Sequence, residues 1–152
     1  MPSSTRSVEE RALYSNVLVP TDGSEGARRG MEHALDIAEK YGATVHVLHV
    51  VDERSVTATP ALGSDELAIE KIEEEAELLM SEIAGAADDA GLESVCSCER
   101  GVPHERILAY AEENGIDLVV MGIHGRARTT RPHVGSTTDR VMRTSSVPVL
   151  PV

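Results

Sequence analysis

Asp117-Leu118-Val119-Val120-Met121-Gly122-Ile123-His124-Gly125 decides how the rest of the chain is read. Leu118 to Met121 is apolar without a break, with an acid before it and a glycine after it. A strand with one wet face would alternate polar and apolar residues, so an unbroken run bounded by turn residues reads as a strand buried on both faces. Such strands belong to parallel sheets covered by helices. This one delivers the chain straight into a glycine-bearing loop.

The same logic holds on either side of it. Asn16-Val17-Leu18-Val19-Pro20 is another short apolar run, halted by Thr21-Asp22-Gly23-Ser24, a turn-rich cluster whose serine is placed to cap a following helix. From Ala27 the residues Met31, Ala34, Leu35 and Ala38 keep helical spacing until Tyr41-Gly42. Ala43 to Val51 is a β-branched, nearly continuous strand, and Asp52 to Gly63 is linker-like. Ala68, Ile72, Ala76, Leu79, Ile83, Ala86 and Ala90 then step by four and three, which predicts a long amphipathic helix closed by Gly91. Glu93 to Arg100 is a weaker strand. Pro103 sits at a first helical turn, Ile107, Leu108 and Ala111 give that helix its apolar side, and Asn114-Gly115 stops it. After the 117–125 stretch come an arginine-rich loop, Gly135-Ser136, a short helix through Val141-Met142 and a last strand from Val147 to Val152. Strand and helix alternate throughout, which predicts an α/β domain with a parallel sheet and helices on both faces. Residues 1–15 show little periodicity and read as a flexible N-terminal arm, with one domain over 16–152.

The 152 residues suit a single domain able to bury a full core, filled here by aliphatic side chains because there is no Phe, no Trp and only three Tyr. The net charge of −12 argues against a nucleic-acid polymer or an anionic membrane as partner, since both need a basic face. Ala43 to Val51, the longest apolar stretch, is half of the roughly 20 residues a bilayer span needs. No run near the N-terminus reads as a signal peptide, so the expected location is the cytoplasm. Cys96 and Cys98, one residue apart, fit no common zinc spacing and are expected as two small buried side chains on one face of a strand. Arginine outnumbers lysine twelve to two, and an acidic, lysine-poor surface suits a cell of high internal salt, where repulsion among carboxylates is screened within a few Å. The ten carboxylates between Asp65 and Asp89 read as the solvated face of the long helix.

The chemistry concentrates near the opening stretch. Gly122, Gly125 and Gly135 are separated by two and nine residues, and Ser136 follows the third. Glycines let backbone N–H groups converge on an anion, and the helix starting at Ser136 aims its free N–H groups and positive dipole end at the same place. Residues 123–152 hold five arginines and one aspartate, a local charge of +4, which leaves −16 for residues 1–122. Each piece has a plainer reading: Gly122 to Gly125 as a tight turn, and Ser136-Thr137-Thr138-Asp139 as a capping box. At the end of a buried strand and beside the arginines, the pieces together read as an anion site. In open parallel sheets ligands bind beyond the carboxyl ends of strands where the strand order reverses, which points to the loops after Val19 and Met121.

The pattern resembles the universal stress protein family, whose nucleotide-binding members show Gly-x2-Gly-x9-Gly-Ser/Thr in this context. The likeness also covers Val-Pro-Thr-Asp-Gly-Ser at 19–24, His-Val at 49–50, Met-Gly-Ile-His-Gly at 121–125 and Val-Pro-Val-Leu at 147–150. The resemblance implies an open, Rossmann-like five-stranded parallel sheet of order 3-2-1-4-5 and an adenine nucleotide, ATP or a relative, as ligand. By the same resemblance Pro20, Thr21 and Asp22 border the adenosine, Val50 meets the adenine through its backbone, and Met121 and Gly122 pack under the ribose. Gly125, Gly135, Ser136 and Thr137 hold the phosphates, with His124 and Arg126 flanking Gly125. Such proteins often form homodimers by antiparallel pairing of the last strand. Two departures stand out: Pro132 removes one N–H donor from the nine-residue loop, and Pro151 interrupts the final strand's donors.

No catalytic set accompanies the site. The chain has no Gly-x-Ser-x-Gly elbow, no His-Glu-x-x-His and no P-loop lysine. His46 and His49 lie an odd step apart on a strand and face opposite sides, and His33, His104 and His133 read as unpartnered surface residues. A receiver domain would need an acidic pair after the first strand and a lysine after the last, and a dinucleotide-binding unit would need Gly-x-Gly-x-x-Gly after the first. The expected function is a nucleotide-binding stress-response sensor or signalling module. The alternatives are a slow ATP hydrolase using the same pocket with Mg2+, and a nucleotide-free interaction scaffold.

Overall fold

The structure is a computed structural model that describes residues 13–22, 25–52, 65–123 and 136–152. Among these residues five strands and four helices alternate: β1 (Asn16–Thr21), α1 (Glu25–Tyr41), β2 (Thr44–Val51), α2 (Asp65–Asp89), β3 (Ser94–Arg100), α3 (Pro103–Glu113), β4 (Leu118–Met121), α4 (Ser136–Thr144) and β5 (Val149–Pro151). All strands are parallel and ordered β3-β2-β1-β4-β5. This is the open α/β sheet expected from the alternation and the resemblance.

β1 lies at the centre, and Val17, Leu18 and Val19 are completely buried. Burying one such side chain contributes roughly 1.5–3 kcal/mol. Three together reach the lower part of the net stability of a whole domain, about 5–15 kcal/mol. Alternate residues serve the two layers. Val17, Val19, Val45, Val47 and Val120 meet Met31, Ala34 and Ala38 of α1 and Ala76, Met80 and Ile83 of α2. Leu18, Leu48, Val119 and Met121 meet Ile107 and Tyr110 of α3 and Val141 of α4.

Helix boundaries follow local chemistry. Gly42 and Gly91 adopt φ of +67° and +74°, the left-handed conformation that ends a helix at little cost only for glycine. Pro103 starts α3, where its missing N–H has no helical partner to lose.

Two expectations are corrected. The buried stripe of α2 is Ile69, Ala76, Met80, Ile83 and Ala87, whereas Ala86 is exposed and Ala68, Ile72, Leu79 and Ala90 are only half-buried. The helix is rotated so that Met80 and Ile69 reach the sheet, because alanines satisfy the same spacing from either side of the stripe. Cys96 is exposed and Cys98 half-buried, not two buried side chains. Both point towards α2 as expected for one face, with Cys96 Sγ 3.7 Å from the Met80 carbonyl oxygen, but β3 is the sheet's edge strand and is covered incompletely. Burial, then the carboxylates of Glu73 and Glu77, hold the Cys98 thiol above its ordinary range.

Polar ties secure the amino ends of the central strands. Asp117 Oδ2 accepts from the N–H groups of Ser15 and Asn16 at 2.8 and 2.9 Å. Tyr14 packs edge-on against Tyr41 with ring centroids 5.1 Å apart. His46, buried in the α3 layer, places Nε2 3.0 Å from Asn16 Oδ1 and Nδ1 2.8 Å from the Tyr110 hydroxyl. An amide oxygen only accepts, so Nε2 carries the proton and Nδ1 accepts from Tyr110. At the other end of β3, Arg100 bridges Glu66 and Glu73 at 3.0 Å each and ties the strand to α2, and Arg106 Nε donates to Glu99 Oε1 at 2.8 Å.

Burial lowers the pKa of His46 below 6.5. The fold therefore favours the neutral ring: the resulting stability is complete above about pH 6.5 and is lost as pH falls from there through the folded-state value. His46→Gln keeps a donor and an acceptor but cannot be protonated. The stability gap between wild type and this variant, read from urea midpoints, should be largest at pH 7.5 and narrow by pH 5; a gap independent of pH contradicts the assignment.

Candidate functional site

The candidate site begins where β1 and β4 part. The β1–β2 ladder runs the length of β1, from Asn16↔Thr44 to Thr21↔His49, but the β1–β4 ladder holds only Val17↔Leu118 and Leu18↔Val119. Beyond Leu18 the two strands are no longer paired with each other, and in an open parallel sheet the crevice expected for a ligand lies at such carboxyl ends, where the strand order reverses. α1 packs over the seam at Gly30, where a Cβ would sit in ordinary van der Waals contact, 3.5 Å from the Val120 carbonyl oxygen, 3.7 Å from the Gly122 nitrogen and 3.7 Å from Val19 Cγ1.

Three ties fix the end of β4. The Val152 N–H donates to the Met121 carbonyl at 2.8 Å, and the Ile123 N–H donates to the Val152 carbonyl at 2.9 Å. From the other side, Thr138 Oγ1 donates to the Gly122 carbonyl at 2.8 Å. This last bond brings the first turn of α4, with its free N–H groups, to the strand end.

Of the residues singled out from the sequence, Thr21 and Met121 are buried, and Asp22, Val50, Gly122 and Thr137 are half-buried. Pro20 is the buried fifth residue of β1, and Ser136 is exposed at the start of α4. Pro20, Thr21 and Asp22 thus share one rim with Met121 and Gly122, and Ser136 and Thr137 come to it through Thr138. Val50 lies one strand over, beside the layer containing Leu48 and Met121. His124, Gly125, Arg126 and Gly135, with Pro132 of the same loop, fall outside the described residues. Asp139, read in one alternative as reaching back to cap the helix, accepts from Arg143 Nε at 2.9 Å one turn further on. Thr138, Gly30 and Val152 shape the site and were missed as functional residues. Thr138 carried a signal: a hydroxyl in a first helical turn has no carbonyl four residues back in its own helix and bonds elsewhere.

His46 and His49 do face opposite layers: His46 meets Tyr110, while His49 is level with Cys98, whose side chain lies on the α2 side. Among the described residues no group of three His, Cys, Asp or Glu is arranged to hold a metal ion. A second depression of about 510 Å³, lined by Ala84, Asp88, Leu92, Glu93, Ser94 and Val95, lies at the opposite rim, where β3 begins. Asp88 and Glu93 would repel a phosphate there, so the β1–β4 crevice is the better place for an anion.

Fold and crevice together define an open α/β protein with a helix N-terminus brought to the reversal point of a parallel sheet. The Universal stress protein family model matches residues 13–152, and the chain belongs to that family. Universal stress protein MJ0531 of Methanocaldococcus jannaschii is 34% identical over 140 residues, covering 92% of this chain and 82% of the relative. The solved structure of MJ0577 from the same organism superposes with a TM-score of 0.81 at 33% identity, covering 92% of this chain and 96% of the other. A universal stress protein solved in complex with cAMP superposes with a TM-score of 0.65 at 25% identity, covering 91% and 96%. Among the described residues no helix is long and apolar enough to cross a membrane.

Proposed function

We propose that this chain binds an adenine nucleotide, ATP or a close relative, in the crevice between β1 and β4 and acts as a cytoplasmic stress-response sensor or signalling module. The observation that carries the reading is the early end of the β1–β4 ladder beside the first turn of α4. One side offers strand ends to a nucleoside and the other offers unsatisfied N–H groups to an anion. The +4 charge of residues 123–152 in a chain of net −12 favours the same location, and the cAMP complex of a relative supports an adenine nucleotide as ligand class. In this reading Pro20, Thr21, Asp22 and Val50 contact the nucleoside, and Met121 and Gly122 lie under the ribose. His124, Gly125, Arg126, Gly135, Ser136 and Thr137 surround the phosphates, and any Mg2+ would be carried in on them.

With three Tyr and no Trp the protein absorbs weakly at 280 nm, so co-purified nucleotide dominates the spectrum near 260 nm and is identified by mass after denaturation. Gly125→Val, which puts a branched side chain in the cradle, should lower ATP affinity in high KCl by about tenfold or more. A wild-type preparation that is empty and binds no added ATP overturns the proposal. ATP turnover that persists in a Gly125→Val, His124→Ala double variant comes from a contaminant and removes the hydrolase alternative.

The partner we propose is a second copy of the chain, paired through β5. Val152 directs both its N–H and its carbonyl to β4, so the main chains of Val149 and Pro151 face the open edge. Pro151 costs the internal ladder nothing but leaves Val149 as the strand's one outward N–H donor. Sedimentation should find a dimer for wild type and a monomer for Val149→Pro, with Pro151→Val still dimeric; a Val149→Pro dimer rules out pairing along this edge.

A further inference from the structure

We propose that Thr138 is a positioning residue for the phosphate end of the nucleotide, an inference that rests on the nucleotide reading above. Residues 121–123 are fixed on the β5 side by Val152 and approached from the other layer by Gly30. What remains to be set is where the first turn of α4 sits relative to them. Among the described residues the side-chain hydrogen bond from α4 to this strand end is Thr138 Oγ1 to the Gly122 carbonyl, at 2.8 Å.

Thr138 contrasts with Thr144 of the same helix. Thr144 is exposed and turns its hydroxyl back to the Arg140 carbonyl at 2.7 Å, the usual local bond of a helical threonine. Thr138 is 5% exposed and reaches 16 residues back along the chain to the end of β4. Its bond joins the two halves of the crevice: the strand end assigned to the ribose and the helix end assigned to the phosphates. It also occupies a carbonyl oxygen whose partial negative charge would oppose an anion close by. Thr138 therefore sets the span between nucleoside and phosphate contacts without touching the ligand.

The test compares binding of ATP and of adenosine, which has no phosphate, by calorimetry in high KCl. Thr138→Val keeps the shape and removes the hydroxyl, Thr138→Ala removes it without risk of overpacking, and Thr138→Ser restores it. The Val and Ala variants should lose about tenfold in ATP affinity while adenosine changes less than twofold, and the Ser variant should bind ATP like wild type. Equal losses for ATP and adenosine, or ATP affinity unchanged in a folded Val or Ala variant, overturn the positioning role while the nucleotide reading stands. A wild-type protein that binds neither ligand overturns both.

Discussion

Everything in this structure depends on one constraint: β1 is paired in parallel on both edges and covered on both faces. A strand in that position has no wet surface, so Val17, Leu18 and Val19 are all buried. Its two neighbours, β2 and β4, are reached by crossovers on opposite layers, α1 on one and α3 on the other. Parallel crossovers of one hand force this division as soon as the chain adds strands first to one side of β1 and then to the other. The reversal of direction leaves a gap at the carboxyl ends of β1 and β4, which no connection needs to cross.

The polar ties at the two ends of the strands differ in kind. At the amino ends the polar groups are occupied by one another: Asp117 holds the start of β1, and Tyr110, His46 and Asn16 form a hydrogen-bonded chain through the α3 layer. At the carboxyl end of β4 the ties come from Val152 and Thr138. They fix the end of one strand and the start of one helix, which is what a ligand crevice requires of its frame.

Much of this was legible in the sequence, and the failures have physical causes. Unbroken apolar runs marked β1, β2 and β4, and Gly42, Gly91 and Pro103 marked helix ends, because strand burial and backbone conformation are local properties that a few residues state outright. The strand order came from the family resemblance, since periodicity alone does not choose neighbours. The stripe of α2 was misjudged by about one position because alanines border it on both sides and spacing cannot tell a buried alanine from an exposed one. Cys96 was expected inside because cysteine usually is; its exposure depends on β3 being an edge, which only the assembled sheet reveals. At the candidate site the glycines were visible from spacing. For Thr138 the first-turn hydroxyl was visible, but its partner, the Gly122 carbonyl 16 residues back, was not.

The charge of the chain follows the same division. Its carboxylates crowd the outer face of α2, whereas the positive segment begins at the end of β4 and runs through α4. In the proposed reading a small anionic ligand meets an acidic protein at its one basic segment. Amide hydrogen exchange with and without ATP tests this most directly. The account predicts that ATP slows exchange at residues 21–22, 121–123 and 136–138 and leaves β3 and the depression around Asp88 and Glu93 unchanged. Protection confined to that far rim, or ATP binding with no protection at the β1–β4 crevice, would contradict it.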